Sequence, residues 1–522
     1  MYKKNSLNEL YDCLKKFHLS DSLYVIGAVN AALKFGSVKA DTKNIPPWIT
    51  DWLQRRGRSE TERRSISVML TRMARYLLLS SANDHKGIFL DLNSDAFNKA
   101  YNLVRDLHDT DVEGDGVIDF SIFFGRTAQW QFPLQTSRKT IIGRGYLLFI
   151  ELMQSVQTDY DFAGKFKAYF NLSLEEFMMT GYAMWLISNG TLDYEIKIER
   201  PFLNGLITIE NQQKFLNLSS GIAKDYRIAV RGNEWQKIDK LKEIYGLDPF
   251  VKMPAIAVER STKLSSTTYV VPQAKYFLDR GSSGIFYLLS DKEMLLANPK
   301  GNPFRIAFGK VYRAYVGKHL SQSGKHVFID LDYDFPYTWT KMMPDFALVF
   351  DELCLLIEVK TTLLNVDSRT YQEPLTLRKE AANGSLVKAV NQLDTFRRAI
   401  LNNELPDPRF TKVSKVLNII VGYEDVYSLN NTLLPLLEEI HGDPAKNLQL
   451  GCITDIDAIG TAISNNDDII TTLFEKANDV AKRSWGIATI WSGNENHPNP
   501  ILDDAFSAFQ SKIVDDVKGN AN

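Results

Sequence analysis

Two short apolar runs, back to back, limit this chain most. Residues 343–350 read Met-Pro-Asp-Phe-Ala-Leu-Val-Phe, a turn follows at Asp351-Glu352, and residues 353–360 read Leu-Cys-Leu-Leu-Ile-Glu-Val-Lys. Such runs around a polar turn predict a β-hairpin buried on both faces. Charged residues do not enter a buried strand unless they are paired or bind something. Period-two alternation puts Glu358 and Lys360 on one face of their strand, and Asp345 opens the neighbouring strand at the same end. Two carboxylates and an ammonium therefore converge, a setting for a divalent metal and a nucleophilic water.

The Pro344-Asp345 pair followed by Glu358-Val359-Lys360 resembles the signature of the PD-(D/E)XK nucleases. The resemblance covers residues 304–424. It implies a restriction-endonuclease-like α/β core and magnesium, with manganese able to substitute, held by Asp345, Glu358 and the backbone carbonyl of Val359. Lys360 would orient or deprotonate the water, or neutralise the phosphate. Relatives often place a Gln on the later helix at the site. That carries Gln392 over as a catalytic residue, with Lys388 one turn before it on the same face. Glu195-Ile196-Lys197 is a decoy: no Pro-Asp hairpin precedes it, and Glu199 adds a third charge on the same alternate face.

The predicted element order supports the core. A helix spans 304–320, a strand 326–335, the hairpin 343–360, a polar connection 361–377, a helix 386–401 and a strand 416–422. A helix near 429–440, a strand near 449–454 and a helix near 468–481 follow. The first helix lacks the acidic residue that some relatives carry. That departs from the two-metal pattern; Asp330, Asp332 and Asp334 could substitute but read as a solvated strand face. Arg305, Lys310, Arg313 and Lys318 stud this helix, and Arg378, Lys379, Arg397 and Arg398 flank the later one. Arg305, Lys310, Arg313, Lys318, Lys388 and Arg397 are expected to meet backbone phosphates.

Ahead of the turn-rich cluster at 298–303, the chain reads as mainly helical. Ser59-Glu-Thr-Glu62 is a capping box, and further helices are expected at 94–107, 145–157 and 174–187. Strands are expected at 192–198, 206–209 and 267–271. The expected division is a recognition or regulatory region at 1–297, with room for two subdomains, a nuclease-like domain at 298–465 and a helical extension at 466–522. Arg55, Arg56, Arg58, Arg63, Arg64, Arg72 and Arg75, with Trp52 beside them, form a second basic zone, read as a solvated helix face. Residues 111–122 resemble a calcium-binding EF-hand loop. Its twelfth position, however, is Ile122 where a bidentate Glu is needed, so an acidic turn is expected.

Composition narrows the class. The chain has 522 residues, 44% hydrophobic and 24% charged, with a formal net charge of -2, so contact with nucleic acid must rest on local patches. Cys13, Cys354 and Cys452 have neither disulfide-framework nor zinc spacing. No signal peptide and no bilayer-spanning run is seen, so a reducing, cytoplasmic setting without membrane contact is expected. Together these features predict a metal-dependent DNA endonuclease of restriction or antiviral-defence type, acting as a homodimer or in a larger complex. An RNA-cleaving enzyme of the same chemistry and a catalytically silent nucleic-acid-binding scaffold are the alternatives.

Overall fold

A computed structural model describes residues 7–33, 46–80, 86–107, 120–190, 195–196, 198, 200–234, 236–258, 268–296, 301–335, 339, 341–494 and 497–519. In the C-terminal half, helix α1 (Pro303–Leu320) leads into strands β1 (Val327–Asp330), β2 (Phe346–Phe350) and β3 (Leu353–Lys360). Helix α2 (Gly384–Leu401), β4 (Lys415–Gly422), β5 (Leu448–Cys452) and helix α3 (Ile453–Ser464) follow. The five strands lie in chain order in one mixed sheet. β1, β2 and β3 pair antiparallel, while β3, β4 and β5 pair parallel. Antiparallel neighbours can be joined by a tight turn, whereas a parallel pair needs a long crossover, which α2 and its preceding helices provide. Asp351 closes the hairpin in the left-handed region at φ 50.

Alternation along the strands explains why they are apolar throughout. Phe346, Leu348, Leu355, Ile357, Leu417, Ile419 and Val421 face a core shared with α1 and α3. Ala347, Val349, Cys354, Leu356, Val416 and Ile420 face a core shared with α2. Buried on both sides, the sheet has no solvated face to alternate with. The cluster on the α1 side runs from Ile141 to Ile513, so residues on both sides of position 298 share it. A second cluster joins the helices of residues 7–107 to residues 226–276. There a small sheet orders Glu195–Ile196, Thr268–Val270, Ala255–Val258 and Ser220–Gly221. The chain is thus mixed α/β and mostly helical.

Several expected elements differ. The strand expected over 326–335 stops at Asp330, because that side chain accepts the Asp332 N–H and caps a helical turn, Leu331–Asp334. The connection at 361–377 contains the helix Val366–Tyr371, capped by Asn365, and the start of Pro374–Ala382. Residues 206–209 form no strand. Ile207 makes one isolated bridge to Phe202, and Thr208 caps the helix Ile209–Ser219. The helix expected over 429–440 is split into Leu429–Thr432 and Leu434–His441, with Pro435 in the first turn of the second. The capping box at Ser59 and Glu62 forms and starts the helix Glu60–Leu79. The EF-hand-like residues 111–119 lie outside the described residues. No helix among those described is long and apolar enough to cross a membrane.

Candidate active site

The sheet end where β2 begins and β3 finishes collects the charged residues. Asp345 lies just before β2, and its N–H donates to the Ile357 carbonyl at 3.1 Å, which sets it beside Glu358. By the alternation above, Asp345, Glu358 and Lys360 all belong to the α2 face. Asp345 accepts the Val359 N–H on Oδ2 at 2.7 Å and Arg313 Nε on Oδ1 at 2.7 Å. Glu358 is 3% exposed. Its Oε1 pairs with Lys360 Nζ, and its Oε2 accepts Gln392 Nε2 at 2.9 Å. Gln392 also donates to the Met343 carbonyl, so α2 ties the loop before β2 to the carboxylate.

Both acids resist ionisation. Burial pushes the Asp345 carboxyl up, against the lowering pull of the Val359 N–H and the Arg313 guanidinium. Burial, then the neighbouring Asp345 charge, pushes Glu358 up to about 7, opposed by Lys360. Two desolvated carboxylates thus stand side by side, and the charge of Asp345 raises Glu358.

The residues able to hold a divalent ion are Asp345 and Glu358, with the Val359 carbonyl beside them. Among the described residues no group of three or more His, Cys, Asp or Glu side chains is arranged to cage a metal. Magnesium does not need such a cage, since it keeps several waters and takes one or two carboxylates. The donor set fits that ion.

Sequence reasoning missed what Arg313 does. It pairs with Asp330 at 2.6 Å, Asp332 at 3.0 Å and Asp345 at 2.7 Å, and lies 4.5 Å over the Phe346 ring. Its charge is therefore spent inside the site rather than held out for a phosphate. Asp330 and Asp332, read as a solvated face, are its partners; their one-residue spacing opposite a basic helix was the available signal. Replacing Arg313 with Met should leave three carboxylates without their cation. Breaking such a partly buried cluster should cost about 3 kcal/mol in urea unfolding of the metal-free protein at pH 8. An unchanged urea midpoint would show that the cluster contributes nothing.

The other basic residues are scattered in use. Lys310 and Lys388 are exposed. Arg305 donates to Ser290 Oγ at 2.7 Å, and Lys318 lies 3.9 Å from Glu151. Arg397 and Arg398 both pair with Asp394, at 2.7 and 2.8 Å, and Arg378 pairs with Glu439 at 2.8 Å. In the second basic zone, Arg72 and Arg75 are buried, not solvated, and donate to the carbonyls of Ile244, Gly246 and Lys242. Trp52 is buried against Phe97. Comparison of the chain with family models, curated proteins and solved structures returns no match.

Proposed function

We propose that the chain is a divalent-metal-dependent phosphodiesterase that cuts nucleic acid, with DNA as substrate, on a core of the PD-(D/E)XK type. The observation that carries this reading is the meeting of Asp345, Glu358, Lys360 and Gln392 at one end of one sheet face. Asp345, Glu358 and the Val359 carbonyl would hold magnesium, which when bound acidifies water and offsets charge on the phosphate. Arg313 fixes the Asp345 carboxylate from one side and the Val359 N–H from the other. Gln392 fixes Glu358 through Oε2. Lys360, carried on the same face two residues on, is placed to orient the attacking water or to meet charge growing on the phosphate. Lys310 and Lys388, both exposed, are the cations of this region best placed to meet a backbone. Among the described residues one such site is present, so cutting both strands takes a homodimer or two successive visits.

The test is incubation of purified protein with supercoiled plasmid, linear duplex, single-stranded DNA and RNA. Magnesium or manganese should support cleavage of DNA. Calcium should support binding with little hydrolysis, because its looser shell holds water and phosphate less strictly. Cleavage undiminished in excess EDTA, or no cleavage of any substrate with either metal, would overturn the proposal. Nicked circles that accumulate at a rate linear in protein would favour a monomer over a dimer.

A further inference from the structure

A cleft of about 710 Å3, whose lining shares no residue with the sheet end, opens between the helices Leu19–Leu33, Glu60–Leu79 and Leu174–Gly190 and residues 271–278. Its lining includes four basic side chains, Arg63, Arg64, Arg138 and Lys275, and one carboxylate, Glu60. Glu60 is spent on Arg64 at 2.5 Å. Arg63 donates to the carbonyls of Gly57 and Arg58, which leave its charge uncancelled. Arg138 lies 5.7 Å over the ring of Trp185, which also lines the cleft. Lys275 donates to the Pro133 carbonyl at 2.6 Å, and burial holds its ammonium down to about 8. Among the described residues the lining thus carries the charges of Arg63 and Arg138 beyond its one ion pair, with Lys275 held near the Asp279 carboxyl, a standing attraction for an anion.

A second, independent feature lies in the same lining. Asn30 is 7% exposed. Its amide nitrogen donates to the Pro272 carbonyl at 2.8 Å and to Thr71 Oγ1 at 3.2 Å, and the carbonyl fixes which way the amide points. Its Oδ1 accepts no hydrogen bond from any described residue. A buried acceptor left so is costly, and a ligand N–H or O–H would satisfy it. The ligand must therefore carry negative charge and a hydrogen-bond donor, and the cleft volume suits a small molecule.

We infer that this cleft binds a nucleotide, its phosphates against Arg63, Arg138 and Lys275 and a donor of its base or sugar against Asn30 Oδ1. The site is separate from Asp345 and Glu358 and does not depend on their chemistry. The test is calorimetric titration of the full chain in EDTA, so that no metal bridges phosphate to the sheet site. The probes are ATP, GTP, CTP and UTP, their nucleosides, and inorganic pyrophosphate. At least one triphosphate should bind, its nucleoside and pyrophosphate each roughly tenfold more weakly or worse. Arg138→Glu, at an exposed position, should weaken that binding roughly tenfold without lowering the melting temperature. Absence of heat with all four triphosphates at millimolar concentration would overturn the inference. So would binding undiminished in Arg138→Glu. A single-stranded oligonucleotide that binds through Arg138 when no mononucleotide does would overturn it too, in favour of a nucleic-acid groove.

Discussion

Glu358→Gln should abolish cleavage and, in the absence of metal, raise the melting temperature at pH 8. The first effect follows from the proposed role: an amide is a poor ligand for magnesium, so the substitution removes one of two carboxylates that would hold it. Asp345→Asn should be equally inactive. A loss of three orders of magnitude or more is expected, about 4 kcal/mol of transition-state stabilisation. The second effect follows from burial. The Glu358 carboxyl titrates near 7 in the fold instead of in the ordinary carboxylate range, because burial and the Asp345 charge oppose its ionisation. Between those limits the folded chain binds more protons than the unfolded one, so stability falls as pH rises. The decline begins near the ordinary glutamate range and is complete above about pH 7. It is on the order of 3 kcal/mol. Gln has no proton to lose, so the variant should lack this decline, and magnesium should restore the wild-type protein at pH 8 by taking the proton's place. Melting curves from pH 5 to 8, with and without magnesium, read both. Wild-type activity in either variant would sink the site assignment. A pH–stability curve identical in wild type and Glu358→Gln would show that Glu358 does not titrate there.

Lys360→Ala should cut turnover by two orders of magnitude or more while affinity for uncleaved DNA changes little. Lys360 ends β3 with its ammonium on Glu358, inside the site rather than out along a groove. A group placed there acts on the water or on charge that develops during the reaction, and such a contact lowers the barrier without tightening the ground state. Binding measured in calcium and single-turnover cleavage measured in magnesium separate the two. If affinity fell and turnover at saturation held, Lys360 would be a phosphate anchor.

The hairpin was legible because burial on both faces writes itself into continuous apolar runs, and Glu358 and Lys360 interrupt such a run. Alternation then fixed their shared face, and Asp345 fell opposite Glu358 because the two-residue turn sets the register. Gln392 entered only through the family resemblance, and the fold brings it to Glu358 from 34 residues away. Arg313 was not legible in this way. On a helix without acidic residues it looked like a groove cation, and only tertiary pairing with Asp330, Asp332 and Asp345 shows where its charge goes. Arg72 and Arg75 misled for the same reason. Their carbonyl partners lie more than 160 residues ahead, a pairing that helical periodicity cannot express. The end of β1 at Asp330 was hidden because a side-chain cap overrode an alternating pattern.

Calorimetric titration of the full chain with manganese, free of nucleic acid, tests most directly whether this site is a metal centre. Wild-type protein should bind one ion per chain, Lys360→Ala should retain it, and Asp345→Asn and Glu358→Gln should each lose it. No binding to the wild type, or equal binding in all four proteins, would contradict the assignment of metal-dependent chemistry to Asp345 and Glu358.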